Sequence, residues 1–263
     1  MASGSNGSRS IQAWAFDLDG VIWTGGTPIA GSAEAVQHLI EAGHKVAFVT
    51  NNSYSTVSHQ EEKLGSFGIS AEGRVVTSAM AGAALVDSGQ RVYVLGGPGV
   101  VEAVEARGAS VVDDQEARRQ VPDAVLVGLD RELSYQRLST AVLSVRAGSR
   151  FVATNTDSTF PSEIGLLPGG GAIVRAVAYS TDREPTIAGK PHRAQARLVR
   201  ELLGPEGIMV GDRPETDGLF ARTLGYAFGL VLTGVTPAGD LPVEPHPEHV
   251  ADDLAALVTD LTT

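Results

Sequence analysis

Short apolar runs rich in Val, Ile, Leu and Phe, each closed by a turn, alternate along this chain with stretches whose apolar positions recur at helical spacing. Strands are predicted over 11–17, 45–50, 91–95, 124–129, 150–154, 207–211 and 226–232. Helices are predicted between them, over 32–42, 56–67, 79–88, 134–147, 172–180, 192–203 and 217–224. Such alternation is the rhythm of an α/β fold. A stretch rich in Pro, Gly and acid, 236–249, reads as a surface loop before a last short helix over 250–261. Two strand ends look alike, Phe48-Val49-Thr50-Asn51-Asn52-Ser53 and Phe151-Val152-Ala153-Thr154-Asn155-Thr156-Asp157, and only one can fill a given slot in a site.

Composition narrows the class. With 263 residues, 43% of them hydrophobic, the chain can bury a substantial core. It has no cysteine, which removes disulfides, thiolate catalysis and cysteine-held metals. A net charge of −11, with no basic run longer than Arg118-Arg119, argues against nucleic acid as a partner. No segment approaches the roughly 18 apolar residues of a membrane span, and residues 1–10 lack the apolar stretch of a signal peptide. The expectation is a cytoplasmic protein with a disordered N-terminus over 1–10.

Four segments could carry chemistry. In Ala15-Phe16-Asp17-Leu18-Asp19-Gly20 an apolar strand runs straight into two carboxylates one residue apart. The ligand crevice of an open α/β sheet lies outside the carboxyl ends of its strands, where Asp17 would project. A turn whose aspartates cap local backbone fits the same letters. A calcium loop does not, because Gly20 falls fourth where that loop wants its glycine sixth. Ile208-Met209-Val210-Gly211-Asp212, followed by Asp217, repeats the pattern of strand, glycine and acid; helix capping by Asp217 is the plainer alternative. Gathered carboxylates at 4 Å and an effective dielectric near 20 repel by about 4 kcal/mol per pair, so a cation is needed, and hard oxygen ligands point to Mg²⁺.

Lys190, in Gly189-Lys190-Pro191, is one of only three lysines beside Lys45 and Lys63, and it precedes a helix N-terminus suited to anions. Thr50-Asn51-Asn52 offers a hydroxyl and turn N–H groups that can grip a phosphate, although Ser53 or Ser55 capping the next helix explains much of the same composition. Two glycine-rich stretches, Gly96-Gly97-Pro98-Gly99 and Gly169-Gly170-Gly171, each lack the third glycine of a dinucleotide fingerprint.

Taken together and in order, Asp17-Leu18-Asp19-Gly20, Thr50-Asn51, Lys190 and Gly211-Asp212 with Asp217 resemble the four motifs of the haloacid dehalogenase superfamily. Gly20-Val21-Ile22-Trp23, Thr50-Asn51-Asn52-Ser53 and Gly189-Lys190-Pro191 are similar to the forms of its NagD-like and p-nitrophenyl phosphatase branch. The resemblance implies a Rossmann-like parallel-sheet core domain over 11–89 and 184–263, with an inserted smaller α/β cap domain over 90–183. Strand-like runs within 90–183 favour Thr50-Asn51 over Thr154-Asn155 as the second motif.

The resemblance further implies a Mg²⁺-dependent phosphatase of small phosphate monoesters, whether sugar phosphate, glycerol phosphate, phosphoglycolate, pyridoxal phosphate or nucleotide. Asp17 would be the nucleophile and Asp19 the general acid and base; a second aspartate suits an alkoxide leaving group, which needs a proton, rather than a halide. Thr50, Asn51 and Lys190 would bind phosphate. Mg²⁺ would be held by the Asp17 side chain, the Asp19 carbonyl and Asp212, with Asp217 steering a bound water or Lys190. Asn155, Asp157 and the Gly169, Gly170, Gly171 loop would lie near the substrate and bear on selectivity. The partner expected is a small phosphorylated metabolite, and the family allows a homodimer through the cap. A phosphotransferase or phosphomutase using the same aspartyl-phosphate, and a non-catalytic phosphate-binding protein, are the rival readings.

Overall fold

The structure, a computed structural model, describes residues 11–162 and 164–263. The disorder expected for residues 1–10 lies outside the described residues. The chain opens with β1 (Ala13–Phe16), a small hairpin of β2 (Trp23–Thr24) and β3 (Thr27–Pro28), α1 (Ser32–Glu41), β4 (Lys45–Thr50), α2 (Val57–Ser66), β5 (Val75–Thr77) and α3 (Ser78–Ala83). Next come β6 (Arg91–Leu95), α4 (Pro98–Ala106), β7 (Ser110–Val112), α5 (Asp114–Arg119), β8 (Ala124–Val127), α6 (Tyr135–Arg146) and β9 (Arg150–Ala153). A second hairpin, β10 (Thr159–Ser162) and β11 (Gly165–Pro168), leads to α7 (Gly170–Thr181) and β12 (Thr186–Ile187). The last part holds α8 (Arg193–Leu203), β13 (Ile208–Gly211), a π-helical turn (Pro214–Gly218), α9 (Leu219–Leu224), β14 (Ala227–Val231), β15 (His249–Ala251) and α10 (Leu254–Thr262).

Two parallel sheets result. The core sheet has the order β15-β14-β13-β1-β4-β5, with β1 flanked by β4 on one side and β13 on the other. Neighbouring crossovers from β1 therefore run in opposite directions, which opens a crevice at its carboxyl end. The cap sheet has the order β12-β9-β8-β6-β7. It runs on to Thr186–Ile187, past the boundary expected at residue 183, because β12 pairs with β9 before the chain returns to the core. The fold is thus a Rossmann-like core with an inserted α/β cap.

Strands buried on both faces explain the uninterrupted apolar runs. Trp14, Phe16 and Phe48 pack into one layer, with Trp14 and Phe16 rings 6.0 Å apart and Phe16 and Phe48 rings 6.3 Å apart. Ala13, Ala15, Ala47 and Val49 face the opposite layer beneath α8 and α9. The chain differs from the sequence reading in several places. The final helix starts at Leu254, not at 250: His249–Ala251 pairs with β14, and Asp253 caps the helix by accepting from the Ala256 N–H at 2.8 Å. The helix expected over 79–88 ends at Ala83. The one expected over 217–224 is split into the π-helical turn and α9.

Truncating Phe48 to alanine, deep in the core layer, is expected to cost about 3–5 kcal/mol, read as a lower urea midpoint at unchanged slope.

Candidate active site

Three core strands end at the same place, and each delivers a polar residue there. β1 hands over to Asp17, whose backbone N–H donates to the Val210 carbonyl at 2.9 Å and so fixes its exit beside β13. β4 ends on Thr50, and β13 on Gly211, followed by Asp212. Lys190 arrives from the segment returning out of the cap. Its ammonium Nζ lies 2.7 Å from Asp17 Oδ1 and 2.8 Å from Asp217 Oδ1. Lys190, Asp212 and Asp217 are buried and Asp17 nearly so.

Burial alone would strip the Lys190 proton, but Asp17 and Asp217 outweigh it and hold the ammonium above its ordinary pKa. Burial also pushes up the pKa of Asp217, with Asp17 and Asp212 adding to the rise and Lys190 opposing it. The Asp212 carboxyl is raised by burial first and by Asp17 second. Carboxyl atoms of Asp17, Asp212 and Asp217 all lie within 4.8 Å of one another. Asp212 Oδ2 accepts from the Val235 N–H at 2.7 Å, while its Oδ1 is buried with no hydrogen-bond partner among the described residues. A buried carboxylate oxygen without a donor costs free energy unless a cation meets it, and this donor set of carboxylate oxygens suits a hard divalent ion. Asp217 has both oxygens engaged, the second accepting from the Arg213 N–H at 3.1 Å.

Asp19 stands at the mouth of the site with an exposed edge. Its carboxyl is raised by the surrounding protein and by Asp17, against the Trp23 indole N–H, which donates to Oδ1 at 2.8 Å. Gly20 makes the tight passage past Asp212: its φ of 84° is left-handed, and a Cβ there would meet Asp212 Oδ2 at 2.5 Å.

The two lookalike strand ends meet each other across the cleft. Asn155 in the cap donates to the Asn51 carbonyl at 2.7 Å, and the Asn51 amide donates to Asp157 Oδ1 and to the Lys190 carbonyl, both at 3.3 Å. Asn51 Oδ1 also accepts from the Lys190 N–H at 2.9 Å. Burial raises the Asp157 carboxyl, opposed first by the Asn51 bond. A cleft of about 710 Å³ opens here, lined from the core by Asp17, Asp19, Thr50, Asn51 and Lys190 and from the cap by Asn155, Asp157, Gly169 and Gly170. Gly171 is not on that wall: it packs against the Thr156 carbonyl, where a Cβ would collide.

Several contributors lie beyond the sequence reading. Lys63, Arg131, Phe160, Leu167 and Arg213 also line the cleft. Lys63 carries the same signal of rarity as Lys190. Gln195, wholly buried in α8, accepts from the Lys190 N–H at 2.7 Å and donates to the carbonyls of Thr50 at 3.0 Å and Val76 at 3.2 Å. It ties two of the expected phosphate ligands into one frame, and no spacing in the sequence announces it.

Comparison with known proteins gives a consistent result. The family model described as haloacid dehalogenase-like hydrolase matches residues 14–110, and a second HAD-hydrolase-like model matches residues 187–257. An acid sugar phosphatase of Staphylococcus saprophyticus is 35% identical over 261 residues, covering 96% of this chain and 99% of the relative. The solved p-nitrophenyl phosphatase of Archaeoglobus fulgidus superposes with a TM-score of 0.88 at 31% identity, covering 96% of this chain and all of that one. A glycerol phosphate phosphatase of Mycobacterium tuberculosis, solved in complex with magnesium, gives 0.85 at 33% identity, covering 94% of this chain and 76% of that one.

Gly20→Ala is expected to disturb the site more than the fold. The added methyl strains a left-handed residue and presses on Asp212, so turnover of a phosphomonoester should fall steeply while circular dichroism still reports folded protein.

Proposed function

Because the chain belongs to the haloacid dehalogenase-like hydrolases, in their NagD-like and p-nitrophenyl phosphatase branch, we propose that its cleft hydrolyses small phosphate monoesters through an aspartyl-phosphate on Asp17 with the help of Mg²⁺. The chain is a phosphatase. The observation that carries the finer reading is the pairing of Lys190 with Asp17 at 2.7 Å, beside a buried Asp212 oxygen that has no donor among the described residues.

Asp17 attacks phosphorus opposite the leaving oxygen; the phosphorus–ester oxygen bond breaks, and its electron pair departs with the alcohol. Asp19 supplies the proton that makes that departure easy. Water then attacks phosphorus, Asp19 takes the proton, and the Asp17 carboxylate is released with inorganic phosphate. Lys190, the Thr50 hydroxyl and the Asn51 N–H meet the charge on the transferring group, and Asp217 steers Lys190. Mg²⁺, when bound, would add positive charge beside the phosphoryl oxygens and offset the crowded carboxylates, held by Asp17, Asp212 and the Asp19 carbonyl.

On the cap side, Asn155 fixes the cap to the phosphate-gripping loop, since its amide N–H goes to Asn51 and its Oδ1 accepts from the Asp157 N–H at 3.1 Å. Choice of leaving group then falls to the remaining wall, including Asp157, Phe160, Leu167 and the Gly169-Gly170 turn. Sugar phosphates, glycerol phosphate and p-nitrophenyl phosphate, the substrates in the names of the relatives, are the first esters to rank by kcat/KM.

Asp17→Asn should lower turnover of p-nitrophenyl phosphate by several orders of magnitude without lowering the melting temperature; substantial residual turnover would remove Asp17 as nucleophile. Titrating the wild type with Mg²⁺ should raise its melting temperature with the logarithm of concentration, by about 2.7 kcal/mol of added stability at a hundred times the dissociation constant. A flat titration counts against the metal. Phosphate released should equal ester consumed, even with an acceptor alcohol present; a deficit would mean transfer to the alcohol.

A further inference from the structure

Among the carboxylates of the site, Asp19 is held by an aromatic side chain. Trp23 Nε1 donates to Asp19 Oδ1 at 2.8 Å. The loop between them is closed on itself: the N–H groups of Val21, Ile22 and Trp23 converge on the Leu18 carbonyl at 3.3, 2.9 and 3.2 Å, and the Gly20 N–H donates to the Trp23 carbonyl at 2.7 Å. From outside, the buried indole is braced by Phe67, with ring centroids 5.9 Å apart, and by the Lys63 ammonium 3.8 Å above the ring.

An indole N–H can only donate. Oδ1 therefore accepts whether Asp19 is charged or neutral, and because a carbonyl oxygen accepts better than a hydroxyl oxygen, this bond favours Oδ2 as the oxygen that carries the proton. We propose that Trp23, braced by Lys63 and Phe67, is a positioning residue that reserves Asp19 Oδ1 as an acceptor and presents Oδ2 as the atom that gives and takes the proton. This rests on the reading of Asp19 as the general acid. In the first step the ester bond breaks, its electron pair stays on the leaving oxygen, and the Oδ2 proton caps that oxygen. In the second, Oδ2 receives a proton from the attacking water.

The test separates positioning of a proton from mere support of the fold. kcat/KM reports events up to formation of the aspartyl-phosphate, and an alkyl alcohol needs the proton there far more than p-nitrophenolate does. Trp23→Phe keeps a ring under Lys63 and deletes the N–H. General acid catalysis contributes about 10²–10⁴-fold, so losing its aim should lower kcat/KM for glycerol phosphate by about tenfold or more, with p-nitrophenyl phosphate changed by less than about threefold. Equal losses on both esters would overturn the proposal.

Should Trp23→Phe fold poorly, Phe67→Leu, outside the cleft, loosens the indole and should give a smaller skew of the same sign; absence of any skew there overturns the proposal as well. Asp19→Asn, run alongside, should show the largest skew. If that variant treats the two esters alike, the general-acid reading itself fails, and the two failures are told apart.

Discussion

A single buried ammonium, Lys190 between Asp17 and Asp217, is the constraint around which the rest of the site is arranged. Neither sign of charge is favoured when buried alone: burial works against the ammonium of Lys190 and against the carboxylate of Asp217, and each offsets the cost of the other. One lysine cannot satisfy three neighbouring carboxylates, however. A divalent cation would bring Lys190 and the cluster of Asp17, Asp212 and Asp217 to neutrality, and the Asp212 oxygen without a partner among the described residues is the place where such a charge would be met. Neutrality of the group before substrate arrives would let the phosphoryl dianion enter without facing an excess of negative field.

The sheet makes this crowding possible. Neighbouring parallel strands end at one level, so the residues that follow β1 and β13 are delivered side by side. Glycine then lets them approach: Gly20 passes Asp212, and Gly211 lies against the Asp217 side chain, with no room for a Cβ at either position. The same device explains the stretch Gly96-Gly97-Pro98-Gly99. It starts α4, with Gly97 against the Tyr54 ring and Gly99 under the Ser55 carbonyl, where the cap touches the loop after β4. Those glycines serve contact between the two units, in keeping with their incomplete dinucleotide fingerprint.

Much of this is legible in the sequence, for physical reasons. Asp17, Thr50 and Asp212 stand out because an apolar run stops at each of them, and Lys190 because lysine is rare here and a glycine precedes it. What escapes is whatever lacks a local period. The strands Val75–Thr77 and Ser110–Val112 are too short to show one, and the hairpin of β10 and β11 carries prolines that weaken its pattern. His249–Ala251 runs into the amphipathic rhythm of α10, so only pairing with β14 separates it from the helix. Gln195 reads as a solvent-facing helix residue, and its bonds to Thr50, Val76 and Lys190 exist only after distant segments meet.

The hydrogen bond from Asn155 to the Asn51 carbonyl joins the inserted unit to the core loop that follows β4 at the cleft. Caps of this kind could be exchanged over evolutionary time to admit new alcohols. The Ser78 hydroxyl of the core donates to the same carbonyl at 2.7 Å, so an exchanged cap that lacked the Asn155 amide would leave the acceptor satisfied but lose the tie between the two units. Descent with changing appetite would then be free along the outer wall of the cleft and anchored at this seam.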